Sequence, residues 1–272
     1  MIIEHLKAAK YIQFSLDARL PSHHLSNKYK HFRIIEDDKT DTQGFAFVEH
    51  GPNICSSVWD NLCSNVCANS YKNINTTNLF IAFRGSQQPR DWITDFNAWH
   101  MTVPYDNYNS DIRVHEGFVT AYKSVRRQVH DLINDFNPDN IIVCGHSLGG
   151  SLATLCAVDI QYNFTDNVEC YSSGSPAVGN DAFVESYNKR VPNTMRTIMR
   201  KDLVPKMPPK KFQRRTGGYK HVETTWRIGP RNFLWGLKQW FTNPFKTESF
   251  TANITNHAIY MYQYWMEKEN GK

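Results

Sequence analysis

Short apolar runs recur along the chain between polar residues, glycine and proline, a pattern typical of strands buried on both faces of a sheet. Five of these runs predict strands, at 44–48, 79–83, 141–144, 168–172 and 195–199. The segment 221–228 instead alternates apolar and polar residues, which also predicts a strand. The predicted sheet therefore draws its strands from most of the length of the chain.

Between these runs, apolar residues are spaced three and four positions apart, as on one face of an α-helix. Helices are predicted over 116–136, 148–160, 181–187 and 258–266. A further amphipathic helix is predicted over 4–17, with Leu6, Ala9, Ile12 and Leu16 on its apolar face. Alternation of buried strands with helices predicts the α/β class, with a mostly parallel central sheet covered by helices on both faces.

Composition excludes several classes of protein. Of the 272 residues, 40% are hydrophobic and 21% are charged, which excludes a disordered or fibrous chain. No repeat or linker divides the sequence, so we expect one domain over 1–272. No apolar run approaches the roughly 20 residues of a membrane span, so no transmembrane segment is expected. The opening residues lack the pattern of a secretory signal, which favours a cytoplasmic location, with secretion open to a processed chain.

The net charge is +5, from 31 basic and 26 acidic residues, and part of the excess lies within 206–220. This basic segment is interpreted as a solvated loop, with peripheral contact at an anionic lipid surface as its functional alternative. No nucleic-acid recognition module accompanies it, so no nucleic-acid partner is predicted. The sequons at Asn75, Asn163 and Asn253 weaken the cytoplasmic prediction, because such sites carry glycans only on a secretory route.

The six cysteines divide into two groups. Cys144, Cys156 and Cys170 lie in apolar segments, where cysteine behaves as a small buried hydrophobic residue. The other three, within 55–67, are close enough for a local disulfide bond. Neither a CxxC motif nor a histidine pair accompanies them, so no metal site is predicted.

The segment 145–150, Gly-His-Ser-Leu-Gly-Gly, directly follows the predicted strand 141–144 and opens the predicted helix 148–160. A turn of this kind holds its serine in a strained conformation that projects the hydroxyl, and the glycines let strand and helix approach. The amide of Leu148 then lies at a helix N-terminus, where it can donate to an oxyanion. We therefore predict Ser147 as a catalytic nucleophile, against the alternative of a structural glycine turn.

A serine hydroxyl needs a base to accept its proton and a carboxylate to orient that base. In hydrolases with this kind of turn the histidine comes last in the chain, and only His221 and His257 follow Ser147. His221 lies within the alternating strand pattern. His257 is preferred because it lies where the polar segment 251–256 meets the terminal helix, in a loop that could hold a side chain over the sheet edge.

The acid is predicted to be Asp202, which directly follows the strand 195–199. It would emerge at the carboxyl edge of the sheet, where α/β proteins assemble their sites. Asp159 lies on the helix after the serine, and Asp166 and Asp181 border loops, so these three are weaker candidates.

These residues belong to a wider pattern over roughly 75–265 that resembles the class 3, fungal-type lipase family of the α/β-hydrolase superfamily. The motifs that carry the resemblance, in the family's order, are Phe83-Arg84-Gly85-Ser86, Asp91-Trp92, His115-Glu116-Gly117-Phe118, the segment 145–150, Gly174-Ser175-Pro176 with Val178-Gly179-Asn180, and Asp202-Leu203-Val204-Pro205. The resemblance implies an α/β-hydrolase fold and the triad Ser147, Asp202 and His257. It adds Ser86 as the second oxyanion donor beside Leu148, and it implies that His115 and Gly117 shape the site.

The resemblance also implies a lid over about 87–103. The segment 91–99 supports this on physical grounds, because apolar side chains recur on one helical face: Trp92, Ile93, Phe96 and Trp99. A short amphipathic helix there could cover an acyl groove in water and turn toward a lipid surface. The alternative is a helix packed permanently on the core.

The predicted activity is hydrolysis of acylglycerol esters by a serine carboxylic-ester hydrolase of the lipase type, with no metal or organic cofactor. A phospholipase A1 acting on phosphoglycerides and a catalytically silent lipid-binding protein are the alternatives. Two regions depart from the family: the first seventy residues match it loosely, and 229–250 is an aromatic insertion. That insertion is interpreted as local packing, with an interfacial anchor or a wall of the acyl pocket as alternatives.

Overall fold

The computed structural model describes residues 2–29, 31–50, 76–85, 101–102, 110–200, 202, 204–207, 218–222, 224–229 and 250–270. Within these ranges, the side chains of residues 2–4, 6, 101, 250–258 and 260 are left out of the description. All structural statements below concern this part of the chain.

Seven of the described strands form one sheet in the order β1-β2-β3-β6-β7-β8-β9. The strands are β1 (Arg33–Asp37), β2 (Thr42–His50), β3 (Thr77–Phe83), β6 (Asn140–His146), β7 (Val168–Ser173), β8 (Thr194–Met199) and β9 (Thr225–Ile228). The pairs β1–β2 and β2–β3 are antiparallel, whereas β3, β6, β7, β8 and β9 run parallel. Two short strands, β4 (Met101–Thr102) and β5 (Val114–His115), pair separately. The predicted mostly parallel sheet is confirmed.

Helices cover both faces of this sheet, as predicted. They are α1 (Ile2–Asp17), α2 (Ser22–Lys28), α3 (Glu116–Phe136), α4 (Leu148–Asn163), α5 (Asp181–Arg190) and α6 (Phe250–Glu269). The sequence pattern placed α3 at its observed bounds, because its apolar stripe is long and ends at Asn137, which has the left-handed conformation of a helix C-terminus.

Two predictions about elements need correction. The strand predicted over 221–228 is limited to Thr225–Ile228, because Thr224 has a φ of 59° that interrupts extended backbone. The buried side of α1 is set by Ala8, Tyr11, Ile12 and Phe14, so the predicted positions Ala9 and Leu16 are only half-buried. The strand β1 and the helix α2 were not predicted, since both are short and carry few apolar residues.

Alternate residues of each strand point to opposite faces, and the two faces differ in composition. The aliphatic face, covered by α3, α4 and α5, is built around residues such as Ile81, Val125, Val143 and Leu155. The aromatic face, covered by α1 and α6, contains rings that contact one another, among them Tyr11, Phe14, Phe47 and Phe80. Because β3, β6, β7 and β8 are parallel, their carboxyl ends meet at one edge between these two faces.

Candidate active site

Ser147 lies at the turn between β6 and α4, where its backbone has φ 57° and ψ −125°. A positive φ is strained for a residue with a Cβ, so the surrounding structure must enforce it. Two backbone hydrogen bonds do so: Ser147 N–H donates to Ser173 O at 2.9 Å, and Gly150 N–H donates to Ser147 O at 3.0 Å. The strained turn predicted for the nucleophile is therefore present.

The glycines of this turn are required by close backbone approach. A Cβ on Gly145 would lie 2.0 Å from Gly149 O, and a Cβ on Gly149 would lie 2.4 Å from Phe83 O. Both distances are far below contact, and the opposing atoms are backbone, so neither position accepts alanine without movement of the main chain. The strands β3 and β6 and the helix α4 can meet here only because these side chains are absent.

The end of β3 also lies against the serine. A Cβ on Gly85 would lie 2.9 Å from His146 O and 3.3 Å from Ser147 Cβ. The preceding Arg84 fixes this end of the strand: its Nη2 donates to Asp41 Oδ1 at 2.9 Å, its Nη1 donates to Gln43 Oε1, and its backbone N–H donates to Gln43 O at 2.9 Å. Ser86, the predicted second oxyanion donor, is the next residue and lies outside the described residues.

Leu148, the other predicted oxyanion donor, is the first residue of α4. The first N–H groups of a helix have no partner within the helix and carry the positive end of its dipole. The N–H of Leu148 is therefore of the kind that binds a developing negative charge beside Ser147. Among the described residues, Ser147 Oγ is buried and makes no hydrogen bond.

Asp202, the predicted acid, is buried, with 6% of its surface exposed. Its Oδ1 accepts from Val204 N–H and its Oδ2 accepts from Tyr262 O–H, both at 2.9 Å. Burial raises the pKa of Asp202 to about 6, an effect that these two hydrogen bonds and the charge of Lys206 oppose. Its carboxylate is thus positioned by bonds to each oxygen, as an orienting acid requires.

Gly174 lies at the centre of the acid's surroundings. A Cβ on this residue would lie 3.1 Å from Asp202 Oδ2, 3.2 Å from His146 Nε2 and 3.3 Å from Tyr262 Oη, and its φ is 61°. His146 is the residue before Ser147, so Gly174 lies between the residue next to the nucleophile and the acid. Burial, followed by the charge of Arg19, lowers the pKa of His146 to about 3, so this imidazole is neutral at ordinary pH.

Tyr262 is a site residue that the sequence reasoning missed. Its hydroxyl donates to Asp202 and accepts from Met199 N–H at 2.8 Å, which ties α6 to the end of β8. Its ring packs edge-on against His146, with centroids 5.6 Å apart. The only available signal was its helical spacing with Ile259 and Met266, which indicates burial on the core but says nothing about a hydroxyl bonded to the acid.

His257, the predicted base, has a helical backbone within α6, which begins at Phe250. Its side chain lies outside the described part of the chain. The predicted loop at this position is wrong, because asparagine and threonine lower helix stability by only about 0.5 kcal/mol each, too little to prevent a helix over 251–256. His221, the competing histidine, has Nε2 2.6 Å from Pro205 O, and burial lowers its pKa to about 4.

The other predicted positions fall into two groups. His115 is buried and caps α3, since its Nδ1 accepts from Phe118 N–H at 3.2 Å, and Gly117 lies against its ring. The lid residues Trp92, Ile93, Phe96 and Trp99 lie outside the described residues. Met101–Thr102, near the end of the predicted lid, form β4 and pair with β5, so a helical lid would end before them.

Asp159, the acidic candidate on the helix after the serine, has other partners. Asp159 accepts hydrogen bonds from Tyr122 and Arg126 and lies 2.7 Å from His130 Nε2. These contacts join α3 to α4, so the burial of Asp159 has a structural reason.

Cys144, Cys156 and Cys170 are buried thiols, as predicted. Cys55, Cys63 and Cys67 lie outside the described residues. No described helix combines the length and apolarity of a membrane span, and the described residues contain no cluster of metal-binding side chains.

Comparison with known proteins agrees with this architecture. A family model described as lipase (class 3) matches residues 80–212. A lipase of Rhizomucor miehei is 31% identical over 163 residues, which are 57% of this chain and 44% of that protein. A chloroplastic phospholipase A(1) of Arabidopsis thaliana is 29% identical over 149 residues, which are 48% of this chain and 33% of that protein. The chain therefore spans less than half the length of these curated relatives.

A solved structure supports the fold over more of the chain. Lipase II from Rhizopus niveus superposes with a TM-score of 0.61 at 23% identity, and the match covers 82% of this chain and 80% of that chain. This similarity, together with the parallel sheet and the strand-turn-helix around Ser147, confirms the predicted α/β-hydrolase fold.

Proposed function

We propose that this chain is a serine carboxylic-ester hydrolase of the lipase type that cleaves acylglycerol esters, since residues 80–212 match the model of the class 3 lipase family. The observation that carries the proposal is the strained conformation of Ser147 between β6 and α4, next to the end of β3. A strained serine with a buried hydroxyl is costly for a fold to maintain, and nucleophilic chemistry gives a reason for it.

In the proposed reaction, His257 takes the proton of Ser147 as the hydroxyl oxygen attacks the ester carbonyl carbon. The tetrahedral intermediate then collapses, the alcohol leaves with that proton, and an acyl-enzyme remains. Water, activated by the same histidine, hydrolyses the acyl-enzyme and releases the fatty acid. Asp202 orients the imidazole and stabilises its protonated form, while the amides of Leu148 and Ser86 bind the negative oxygen.

The cheapest test of the nucleophile is covalent labelling with a fluorophosphonate probe. We expect labelling of the natural chain and none of Ser147→Ala. Equal labelling of both proteins would overturn the assignment of Ser147, because the probe reacts with activated serines.

The base is tested by comparing the two histidines that follow the nucleophile. We expect His257→Ala to lower kcat by about a million-fold, as in other serine triads. His221→Ala is the matched control, since His221 is held by a backbone carbonyl and should leave kcat within a few-fold. A large loss in His221→Ala with full activity in His257→Ala would reverse the assignment.

A phospholipase A1 activity on phosphoglycerides is a second candidate, supported by the similarity to a chloroplastic phospholipase A(1). Both activities use the same acyl transfer, so the headgroup decides between them. Comparing hydrolysis of triolein, monoolein and phosphatidylcholine distinguishes the two. A catalytically silent lipid-binding protein would hydrolyse none of these lipids.

The lid and the location in the cell are further proposals. The proposed lid over about 87–103 closes an acyl groove in water and opens at a lipid surface, which the chain contacts peripherally. Deleting the apex of this segment should then change activity on emulsions far more than on soluble short-chain esters, and equal effects would argue against a lid.

A cytoplasmic location would be tested by fractionating cells that express the full-length protein.

A further inference from the structure

His146 is a buried histidine that the proposed reaction does not use. Only 1% of its surface is exposed, and burial lowers its pKa, so the imidazole is neutral at ordinary pH. A neutral imidazole has one N–H donor and one acceptor nitrogen. Among the described residues, neither Nδ1 nor Nε2 of His146 has a hydrogen-bond partner. Buried polar groups are nearly always paired, so this ring requires a partner of another kind.

The space next to Nε2 of His146 lies over Gly174 and is bounded by polar atoms. The point that a Cβ on this glycine would occupy is 3.2 Å from His146 Nε2, 3.1 Å from Asp202 Oδ2 and 3.3 Å from Tyr262 Oη. Among the described residues outside 173–175, these are the three nearest heavy atoms to that point. A nitrogen and two oxygens from three different elements therefore face the side of Gly174 that carries no side chain.

The carboxylate of Asp202 can accept more hydrogen bonds than the described residues donate to it. Each of its oxygens accepts one described bond, from Val204 N–H and from Tyr262 O–H. A carboxylate has about four acceptor positions, so the predicted base His257 and one further donor can both be accommodated. No direct hydrogen bond joins His146 to either oxygen in the described part of the chain. A group that links Nε2 to Oδ2 must therefore donate to the carboxylate and also bond the imidazole.

Water has both properties. It can accept from Nε2–H or donate to Nε2, whichever nitrogen carries the proton, and its other O–H can donate to Asp202 Oδ2. Buried waters typically make about three hydrogen bonds to polar groups that would otherwise be unpaired. A side chain on Gly174 would occupy this space, so the glycine keeps it open.

A second polar side chain beside His146 also points to bound water at this edge of the sheet. Ser173 lies opposite His146 in the register of β6 and β7, so both side chains are on the same face. Within the described residues, the Oγ of Ser173 is likewise buried and makes no hydrogen bond. Two adjacent strands thus end in buried polar groups of the kind that ordered waters bind.

We propose that His146 is a positioning residue for Asp202, and that one buried water molecule over Gly174 joins its Nε2 to Oδ2 of the acid. The inference rests on the proposed ester hydrolysis, in which Asp202 must be ionised to stabilise the protonated base. A water that donates to the carboxylate favours its ionised form and lowers the pKa of Asp202, against the effect of burial. His146 holds this water, because a ring without nitrogen offers it no hydrogen bond.

Other ionisable groups act on the same residues. Those that act electrostatically on His146, Asp202 or Tyr262 come from several elements: Lys206 after β8, Arg19 after α1, Arg196 in β8 and Tyr262 in α6. The predicted base His257 faces the acid in the proposed reaction. All of these groups are retained when only residue 146 is changed, so a comparison among variants at that position isolates the water link.

Three substitutions of His146 separate its two nitrogens. The amide nitrogen of glutamine is as many bonds from Cα as Nε2 is, and that of asparagine is as many as Nδ1. His146→Gln should therefore keep the contact to the water, whereas His146→Asn and His146→Phe should lose it. His50→Gln is the control, because His50 is exposed and pairs with the first residue of β3, at the opposite edge of the sheet.

The first measurement is the pH profile of kcat/KM on a soluble ester. We expect His146→Phe and His146→Asn to move the acid limb to higher pH by about one unit, with a loss of about tenfold at pH 6 and less than threefold at pH 9. His146→Gln and His50→Gln should stay within about threefold of the natural chain at both pH values. A loss that is equal at every pH in all three His146 variants would mean that this ring only fills space.

The second measurement does not depend on activity. It compares the folding equilibrium constant at pH 4 and pH 8, obtained by denaturant unfolding. None of the side chains that replace His146 titrates, so differences among the variants report on Asp202. Because the folded pKa of the acid is raised, stability is lost as the pH rises through that pKa, and a further rise enlarges the loss.

Between these pH values we expect the folding constant to fall about tenfold more for His146→Phe than for His146→Gln. The difference should vanish when Asp202→Asn is added to both variants. His146→Asn takes the place of His146→Phe if the latter does not fold. An equal fall in the two variants would overturn the link between His146 and the acid.

The third measurement is a crystal structure of the natural chain and of His146→Phe. We expect one ordered water within about 3 Å of both His146 Nε2 and Asp202 Oδ2 in the natural chain, and none over Gly174 in the variant. A natural chain without this water would overturn the proposed bridge while leaving ester hydrolysis standing. A natural chain that has the water and the unfolding difference but cleaves no ester would instead overturn the proposed function.

Discussion

Ser147 and Asp202 lie at the carboxyl ends of two strands of one sheet, β6 and β8, but different kinds of contact hold them. The serine is held by backbone: its strained φ, the close approach of Gly145 to Gly149, and a hydrogen bond to Ser173 O. The acid is held by hydrogen bonds to its side chain: Val204 N–H bonds its Oδ1, and Tyr262 O–H from the terminal helix bonds its Oδ2.

The comparison shows two physical effects at one site: backbone strain sets the position of the serine, and desolvation sets the pKa of the acid. At Ser147 the main chain is distorted, so the geometry depends on which residues lack a Cβ. At Asp202 the carboxylate is buried, so its pKa is raised to about 6 and depends on each donor that reaches it. Substitutions near Ser147 should therefore change the unfolding free energy according to whether a Cβ fits. Substitutions near Asp202 should change how stability and rate depend on pH.

Removal of the nucleophile is expected to have the largest effect. Ser147→Ala should lower kcat by about a million-fold, because the acyl-enzyme can no longer form. Its control is Ser151→Ala, which removes a buried hydroxyl one helical turn later and should leave kcat within a few-fold. Initial rates on a soluble ester provide the measurement, and a loss of only tenfold in Ser147→Ala would contradict the assigned nucleophile.

Removal of the acid's charge comes next. Asp202→Asn should lower kcat by about ten-thousand-fold, because the amide no longer stabilises the protonated base. The comparison is sharpened by stability. The folded pKa of Asp202 is about 6 and its ordinary value is 3.8.

A raised folded pKa means that the contribution of Asp202 to stability is complete below pH 3.8 and is lost as the pH rises through 6. The natural chain should therefore lose about 3 kcal/mol of unfolding free energy over this window through Asp202, and Asp202→Asn should not. Denaturant unfolding at pH 4 and pH 7 measures this, and identical pH dependence of the two proteins would refute the buried carboxylate.

Glycine substitutions test the effect of an added Cβ in the nucleophile's region. Gly145→Ala should destabilise the fold by about 3 kcal/mol, because its Cβ would meet Gly149 O at 2.0 Å. Gly174→Ala meets only the ends of side chains, at 3.1–3.3 Å, and should cost about half as much. Gly218 has a φ of 80° and nothing within 4 Å of the added Cβ, so Gly218→Ala measures the cost of the positive φ alone, about 1 kcal/mol of unfolding free energy. Equal unfolding free energies for the three variants would remove the distinction.

The smallest expected effect concerns Tyr262. Tyr262→Phe removes the hydrogen bond that lowers the pKa of Asp202, so this pKa should rise further. The acid limb of the kcat/KM profile should move to higher pH, with a loss of about tenfold at pH 7 and little loss at pH 9. Tyr162→Phe, at a ring that is 72% exposed, is the control. A loss that is the same at every pH would assign Tyr262 a packing role only.

Most of the fold could be predicted from the sequence, because the elements around Ser147 have strong local patterns. The helix α3 was predicted at its observed bounds, and the strands β2, β3, β6, β7 and β8 were predicted within two residues at each end. The start of α6 was missed, since the polar residues 251–256 carry no apolar stripe. The strand β1 was missed because it has five residues and only two of them, Ile34 and Ile35, are apolar.

The strand-turn-helix at Ser147 could be predicted from the sequence, since several of its contacts are local: Gly145 approaches Gly149 and Gly150, and Gly150 N–H donates to Ser147 O. Three glycines within six residues, Gly145, Gly149 and Gly150, indicate that the strand and the helix approach closely at this turn. The hydrogen bond from Tyr262 to Asp202 and the position of Arg19 beside Gly85 could be known only from the folded chain. The reason is that the burial and the charge around a side chain depend on all the elements that pack against it, and the spacing of residues along the chain does not give the distances between those elements.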